Sequence, residues 1–139
     1  MSGPLPPANN VKTSSEFTEL PGLTVNVDNV IYQPDAQPPA ERPHCFAYFI
    51  TILNRSDIAV TIKGRKWVVR NSRGEITAVE GDGVVGQFPT IEPGGEFTYN
   101  SYHLLDTNSA VAEGSYLGVD ESGRRILVRI PKFEMTVPD

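Results

Sequence analysis

Residues 45–53 read CFAYFITIL, and this stretch decides the fold. Its large apolar side chains recur at every second position, at Phe46, Tyr48, Ile50 and Ile52. Successive side chains of a strand point to opposite faces, so these four share one face. No proline occurs over residues 44–88, and a central strand must donate each of its backbone N–H groups. The stretch therefore predicts a central β-strand with one face in a hydrophobic core.

The same alternation continues on both sides of this strand. Apolar residues alternate at Leu23, Val25 and Val27, at Val60 and Ile62, at Trp67 and Val69, and at Ile126, Val128 and Ile130. The chain has 12 Gly and 12 Pro, so turns between strands are plentiful. No long window shows a helical period with caps. We therefore predict an all-β fold, a two-sheet antiparallel β-sandwich of about seven to eight strands.

The 139 residues fit one domain with a tail in front of it. Residues 1–21 contain four prolines among Ser, Thr and Asn, which predicts a mobile Pro-rich tail. Residues 22–139 then form the sandwich. Large aromatics at alternating strand positions are usually core residues, which assigns Phe46, Tyr48, Trp67 and Tyr116 to the core. Tyr116, near the start of a late strand, is expected to form a tyrosine corner.

Charge and cysteine content narrow the function classes. The net charge of −5 argues against nucleic acid as a partner, because phosphate contacts need clustered Lys and Arg. No apolar run is long enough to span a bilayer, and the N-terminal residues do not resemble a signal peptide. We expect a cytoplasmic protein with no membrane partner. Cys45 is the only cysteine, so no intrachain disulfide can form.

Residues 81–86 read GDGVVG and have the spacing G-x-G-x-x-G of a dinucleotide-binding loop. That motif needs a helix after it, but residues 87–95 contain two prolines and two glycines. A P-loop would need a Lys where Gln87 stands. We expect Gly81, Gly83 and Gly86 to permit positive φ in a connection between sheets. The alternative is a nest of backbone N–H groups that binds an anion, although Asp82 opposes it.

Basic residues cluster in two stretches, at residues 63–73 and 124–132. If these strands are neighbours, Arg65, Arg70 and Arg129 could form one basic face for an anionic ligand or an acidic partner. The alternative is a set of solvated strand surfaces and edge charges that oppose aggregation.

No arrangement of residues predicts catalysis or metal binding. His44 and Cys45 are neighbours in a predicted strand, so their side chains point to opposite faces. His103 and Asp106 could be combined with Ser101 or Ser109, but the spacing does not support a triad, and we expect surface loop residues there. The sequence thus predicts no catalytic residue, no metal site and no cofactor.

Several segments together resemble one family. They are FAYFITILNRSD from Phe46, GRKWVVRNSRG from Gly64, GDGVVGQFPTIEPGGEFTYNS from Gly81 and EGSYLGVDESG from Glu113. In this order they resemble the ApaG family, over roughly residues 22–136. The resemblance implies a fibronectin type III-like or immunoglobulin-like sandwich and no established reaction. Departures from the usual family pattern fall at Asn71, Asp82, His103 and Ala112.

The resemblance also shapes the functional expectation. Eukaryotic relatives carry this domain attached to F-box and polymerase-associated proteins, and bacterial members are linked with cobalt tolerance and magnesium efflux. We expect a non-catalytic protein–protein interaction module with an unidentified protein partner. The alternatives are a binder of phosphate, pyrophosphate or nucleotide, and an indirect role in cobalt or magnesium homeostasis. Exposed sheet edges would also allow a homodimer.

Overall fold

A computed structural model describes residues 17–139, and all regular structure there is β-strand. The strands in chain order are β1 Thr18–Glu19, β2 Leu23–Tyr32, β3 His44–Asn54, β4 Val60–Asn71, β5 Ile76–Asp82, β6 Thr90–Ile91, β7 Glu96–Leu105, β8 Ser109–Asp120 and β9 Arg125–Thr136. Two of the nine strands, β1 and β6, are only two residues long. The prediction of an all-β fold is confirmed.

The strands form two sheets. The larger sheet has the order β1-β9-β8-β4-β5, and β6 also pairs with β4. The smaller sheet has the order β2-β3-β7. Every long pair is antiparallel, and only the short β1 pairs in parallel, with β9. The two-sheet β-sandwich is therefore confirmed as well.

Strand β3 lies at the centre of the smaller sheet, as its sequence requires. Ile50 and Ile52 are fully buried, and Phe46 and Tyr48 are almost so. Across the sandwich they meet Trp67 and Tyr116, which are also buried. This contact between the inner faces of the two sheets is what holds the layers together.

Strand β4 changes its inward face partway along. A bulge between Ile62 and Gly64 shifts the pairing of β4 with β8, because an extra residue in one strand reverses the alternation that follows. Ile62 and Trp67 are therefore both buried although they are an odd number of residues apart. After the bulge, Arg65 and Val69 share the inward face with Trp67.

The predicted boundary between tail and domain needs a correction. Thr18 and Glu19 pair with Ile126 and Leu127 of β9, so the sandwich begins before residue 22. The prolines suggested a tail up to residue 21, but the two residues before Leu20 add to the otherwise free edge of β9. The prediction of mobility for residues 1–16 lies outside the described residues.

Tyr116 does not form a tyrosine corner. It lies in the middle of β8 rather than at the start of a strand. Its hydroxyl group pairs with the Tyr99 hydroxyl of β7 in the opposite sheet, whereas a corner tyrosine bonds to backbone. The predicted corner is therefore wrong, and Tyr116 instead provides a polar link between the two layers.

The sandwich is closed on one side and open on the other. Strand β2 of the smaller sheet packs against β9 of the larger sheet. At the opposite side, β5 ends the larger sheet and β7 ends the smaller one. Within residues 17–139, no helix is long and apolar enough to cross a membrane.

Candidate functional site

A cleft opens into the sandwich between the edge strands β5 and β7. Its volume is about 600 Å³, within the range of ligand pockets. The residues that matter most in its lining are Tyr48, Arg65, Trp67, Val79, Tyr102 and His103. We call this space the β5–β7 cleft, and we call Tyr48, Arg65, Trp67 and His103 its floor.

The floor contains two buried polar atoms without a partner among the described residues. These atoms are Nε1 of Trp67 and Nε2 of His103. Trp67 is only 2% exposed, so its N–H donor has little access to bulk water. A buried donor that lacks an acceptor costs free energy, and such groups often mark a place that a ligand or water occupies. Both orphaned atoms belong to side chains that line the same cleft.

Ring packing holds these side chains in place. The His103 ring stacks on Tyr48 with centroids 4.7 Å apart, and it meets the edge of Trp67 at the same distance. Phe133 of β9 closes the cluster from behind, 5.8 Å from Trp67. The geometry of the floor is therefore set by the core and not by loops.

Burial keeps the floor uncharged apart from Arg65. Desolvation lowers the pKa of His103 to about 4, so the imidazole is neutral at physiological pH. Desolvation also raises the pKa of Tyr48, although Ser101, Arg65, Tyr99 and Trp67 oppose this effect. The Trp67 indole lies near the Tyr48 hydroxyl and opposes the rise in its pKa, although the indole nitrogen has no hydrogen-bond partner among the described residues.

Arg65 brings the only positive charge to the floor. Its Nη1 donates to the backbone oxygens of Asp82 at 2.9 Å and Gly83 at 3.2 Å. These bonds fix one side of the guanidinium group, and no described residue accepts from its Nε or Nη2. An arginine held at one nitrogen in this way is well prepared to bind an oxyanion with the others.

Carboxylates stand at the mouth of the cleft and are already paired. Arg73 contacts Asp106 at 2.8 Å and Glu75 at 3.0 Å. Asn71 also donates to Glu75, at 2.8 Å. The pKa of Glu75 is lowered, first by its hydrogen bond to Asn71 and then by Arg73. The two acidic residues of the cleft lining, Glu75 and Asp106, are thus paired with Arg73 and Asn71.

The glycine-rich stretch presents carbonyl groups to Arg65. Gly81 belongs to β5, while Gly83 and Gly86 have φ values of 61° and 78°, as expected for glycines in a turn. The amides of Gly83, Val84 and Gln87 donate to backbone oxygens, so they are not available to an anion. The geometry therefore favours a structural loop over an anion nest.

The three arginines predicted to share a face do not come together. Arg65 and Arg70 lie five residues apart on a continuously paired part of β4, so they point to opposite faces of the sheet. Arg129 also lies on the outer face, where it and Lys66 both pair with Ser115 of β8. Arg70 is four residues farther along β4 than Lys66. Lys66 and Arg129 each have an acidic neighbour, at 4.0 and 3.7 Å. The alternation of β4 therefore separates Arg65 from the other two, which both lie on the outer face, and the three do not form a single basic face.

The residues considered for catalysis or metal binding do not form a site. We had expected His103 and Ser101 to be surface loop residues, but both lie in strand β7. No hydrogen bond in the described part of the chain joins His103 to Asp106, Ser101 or Ser109. His44 bonds to the Tyr32 hydroxyl at 3.3 Å, and the Cys45 side chain is buried. Residues 17–139 contain no group of three or more His, Cys, Asp or Glu that could hold a metal.

Sequence reasoning overlooked the cleft although one signal was present. Arg65 and Val69 lie two residues before and after the buried Trp67, so the strand alternation places them on its face. This pattern indicates a charged residue, Arg65, turned toward the core. Likewise, Phe97, Tyr99, Ser101 and His103 alternate along β7. The gap between the two sheet edges, in contrast, depends on long-range packing and has no local signal.

Comparison with known proteins gives consistent matches. A family model described as the ApaG domain matches residues 34–120. A protein named ApaG from Vibrio cholerae is 40% identical over 119 residues, which cover 86% of this chain and 94% of that protein. Another protein named ApaG, from Sodalis glossinidius, is 39% identical over 118 residues, which cover 85% of this chain and 94% of that one.

A solved structure shows the same architecture. The crystal structure of a Bordetella pertussis protein, described as an ApaA protein, superposes with a TM-score of 0.77. It is 32% identical in sequence, and the match covers 86% of this chain and 97% of that one.

Proposed function

The chain belongs to the ApaG domain family, and from that premise we propose that it is a non-catalytic module that binds another protein along the β5–β7 cleft. The observation that carries this proposal is the open side of the sandwich. Two edge strands border one cleft there, and each carries an exposed apolar side chain. Val79 of β5, on the inner face, is 43% exposed, and Tyr102 of β7, on the outer face beside the cleft, is 58% exposed.

The edges themselves suit an extended segment of a partner. Strand β5 pairs only with β4, and β7 pairs only with β3, within residues 17–139. Each edge therefore has backbone donors and acceptors on its outer side that an added strand can bond. Strand β7 has ten residues, long enough for a partner segment of usual strand length.

The arrangement of the cleft supports binding rather than catalysis. A nucleophile and a base in hydrogen-bond contact are the usual sign of covalent catalysis. The imidazole of His103 has no such contact with Ser101 or Asp106, and the low pKa makes it a poor base near neutral pH. Nor does the described part of the chain offer a ligand set that favours a metal function.

Affinity capture with matched variants tests this proposal. The double variant Val79→Ser and Tyr102→Ser removes the exposed apolar side chains of the two edge strands that border the cleft. The control is Ile76→Ser, which lies on the same edge strand, is 55% exposed, and points to the outer face of the sheet. We expect the wild type and the control to retain a partner that the double variant loses, with mass spectrometry as the readout.

A partner confirmed in this way should then protect backbone amides of β5 or β7 from hydrogen exchange. A protein that all three forms capture equally well, or protection confined to β1 and β9, would refute binding at the cleft.

A further inference from the structure

We propose that the cleft floor binds one carboxylate group, presented by an acidic side chain of the bound partner segment. The source of the carboxylate, a partner segment, rests on the proposed function. The chemistry of binding rests on the floor residues alone. The floor offers hydrogen-bond donors and one positive charge, and no carboxylate of residues 17–139 occupies it.

Several hydrogen-bond donors line the floor and its surroundings. The Trp67 N–H is a donor only, it is buried, and it lacks an acceptor among the described residues. Arg65 adds Nε and Nη2, because only Nη1 is bonded to the loop. Tyr48 and Ser101 also line this space, and their hydroxyl groups interact with each other. A carboxylate has two oxygens with about four acceptor sites, so it can satisfy several of these donors at once.

The charge of the floor selects a monoanion. Arg65 is its single cation, and His103 stays neutral near pH 7. The other basic group of the lining, Arg42, belongs to an exposed loop at the mouth, where Glu75 and Asp106 also stand. A phosphate dianion would therefore bring one charge too many into a partly buried space, where uncompensated charge is costly.

The fixed position of Arg65 favours binding further. A free arginine side chain loses rotamer entropy when it binds a ligand. Here the carbonyl groups of Asp82 and Gly83 already hold the guanidinium in place, and Gly81 leaves room for it. The glycine-rich stretch thus contributes to binding through its carbonyl groups and through the missing side chain, without touching the ligand.

The single tryptophan makes the test direct. Trp67 is the only tryptophan of the chain, so its indole N–H gives one assignable signal in a proton–nitrogen correlation spectrum. The probes are propionate, which has the chemistry of a Glu side chain, propionamide as its neutral isostere, and inorganic phosphate. Each is added up to about 100 mM at constant ionic strength, because screening changes with salt.

We expect propionate to shift the Trp67 indole signal saturably and propionamide to leave it unchanged. Arg65→Gln should weaken propionate binding at least about ten-fold, since a charge-assisted hydrogen bond is lost. Arg70→Gln is the matched control on the same strand and the opposite face, and it should bind like the wild type.

Equal shifts with propionate and propionamide, tighter binding of phosphate, or equal loss in both arginine variants would overturn the inference. Partner capture that still depends on Val79 and Tyr102 would then leave the proposed function standing. The two proposals can therefore fail separately.

Discussion

The guanidinium group of Arg65 lies directly against Gly81, its partner across the β4–β5 ladder. A β-carbon at Gly81 would come within 2.8 Å of the Arg65 Cζ atom, closer than such contacts allow. The same arginine donates to the carbonyl groups of Asp82 and Gly83. The first two glycines of the G-x-G-x-x-G spacing therefore position a cation instead of a phosphate.

This relationship predicts unequal losses of stability for alanine substitutions at Gly81 and Gly83. In Gly83→Ala, the β-carbon would meet the Gln87 backbone oxygen at 2.2 Å, and the φ of 61° adds strain. We expect a loss of at least about 2 kcal/mol in unfolding free energy. In Gly81→Ala, only the end of a flexible side chain must move, so the loss should stay below about 1 kcal/mol while carboxylate binding weakens.

Urea denaturation of both variants measures this difference. Gly86→Ala serves as a control, because its φ is also positive but nothing lies within 4 Å of the added carbon. If Gly83→Ala proved no less stable than Gly86→Ala, the close packing of the loop would be disproved.

Two substitutions of Trp67 should distinguish the contribution of core packing to stability from that of hydrogen bonding. Trp67→Ala leaves a large cavity between the sheets and should cost about 3–5 kcal/mol. Trp67→Phe keeps an aromatic ring among Tyr48, His103 and Phe133 and removes a donor that has no acceptor in the described structure. We expect it to cost clearly less than Trp67→Ala, because the remaining ring fills much of the space.

Thermal unfolding of the two Trp67 variants provides the measurement. A melting curve of Trp67→Ala that matches the wild type would show that this ring does not hold the sheets together.

His103 should make the domain less stable in mild acid. Its pKa is about 4 in the folded protein and 6.5 in the unfolded chain, so the unfolded state binds more protons between these values. Stability therefore falls as the pH drops below 6.5, by roughly 2 kcal/mol between pH 7 and pH 5. The groups that face the ring are Tyr48, Trp67, Phe133 and, at the floor, Arg65.

Urea midpoints at pH 7 and pH 5 measure this effect. In His103→Gln the difference between the two values should shrink markedly, because the titrating ring is gone. An unchanged difference would assign the acid sensitivity to other groups.

The Tyr99–Tyr116 hydroxyl pair should show strong coupling across the sandwich. Tyr116→Phe leaves the Tyr99 hydroxyl without its partner in a largely buried place and should cost about 1–3 kcal/mol. Replacing both tyrosines with Phe removes both polar groups and should cost less than the sum of the single changes. A double-mutant cycle by urea denaturation measures the coupling, and strictly additive losses would contradict it.

The Tyr99–Tyr116 pair should make folding stability depend on pH with a sign opposite to that of His103. Burial raises the pKa of both Tyr99 and Tyr116, so the folded state keeps these protons longer than the unfolded chain. Stability should therefore fall as the pH rises above about 10, where free tyrosine ionises. The double Phe variant should resist alkaline unfolding better than the wild type.

Much of the fold could be predicted from local patterns. The alternation in β2, β3 and β9 identifies both the strands and their buried faces, because side-chain direction in a strand has a period of two. The bulge after Ile62 was harder to foresee, since it depends on pairing with β8 and not on β4 alone. The same holds for β1, which is strand only because β9 offers a free edge.

The candidate site was less accessible from sequence for a physical reason. Its floor combines residues from β3, β4 and β7, and only the packing of two sheets brings these together. The grouping of Arg65 with Arg70 ignored that five positions along a strand reverse the face. A stricter use of the alternation would have placed Arg65 beside Trp67.

The position of β1 and β9 in the larger sheet has a practical consequence. Strand β1 and strand β9 form one border of the larger sheet, whereas β5 forms the other, roughly 19 Å away at the usual spacing between strands. A biotin tag, a fluorophore or a fused protein attached at the C-terminus, just after β9, would therefore lie on the side of the domain away from the β5–β7 cleft. Immobilised in this way on a sensor chip, the molecule should keep the β5–β7 cleft accessible to the analyte.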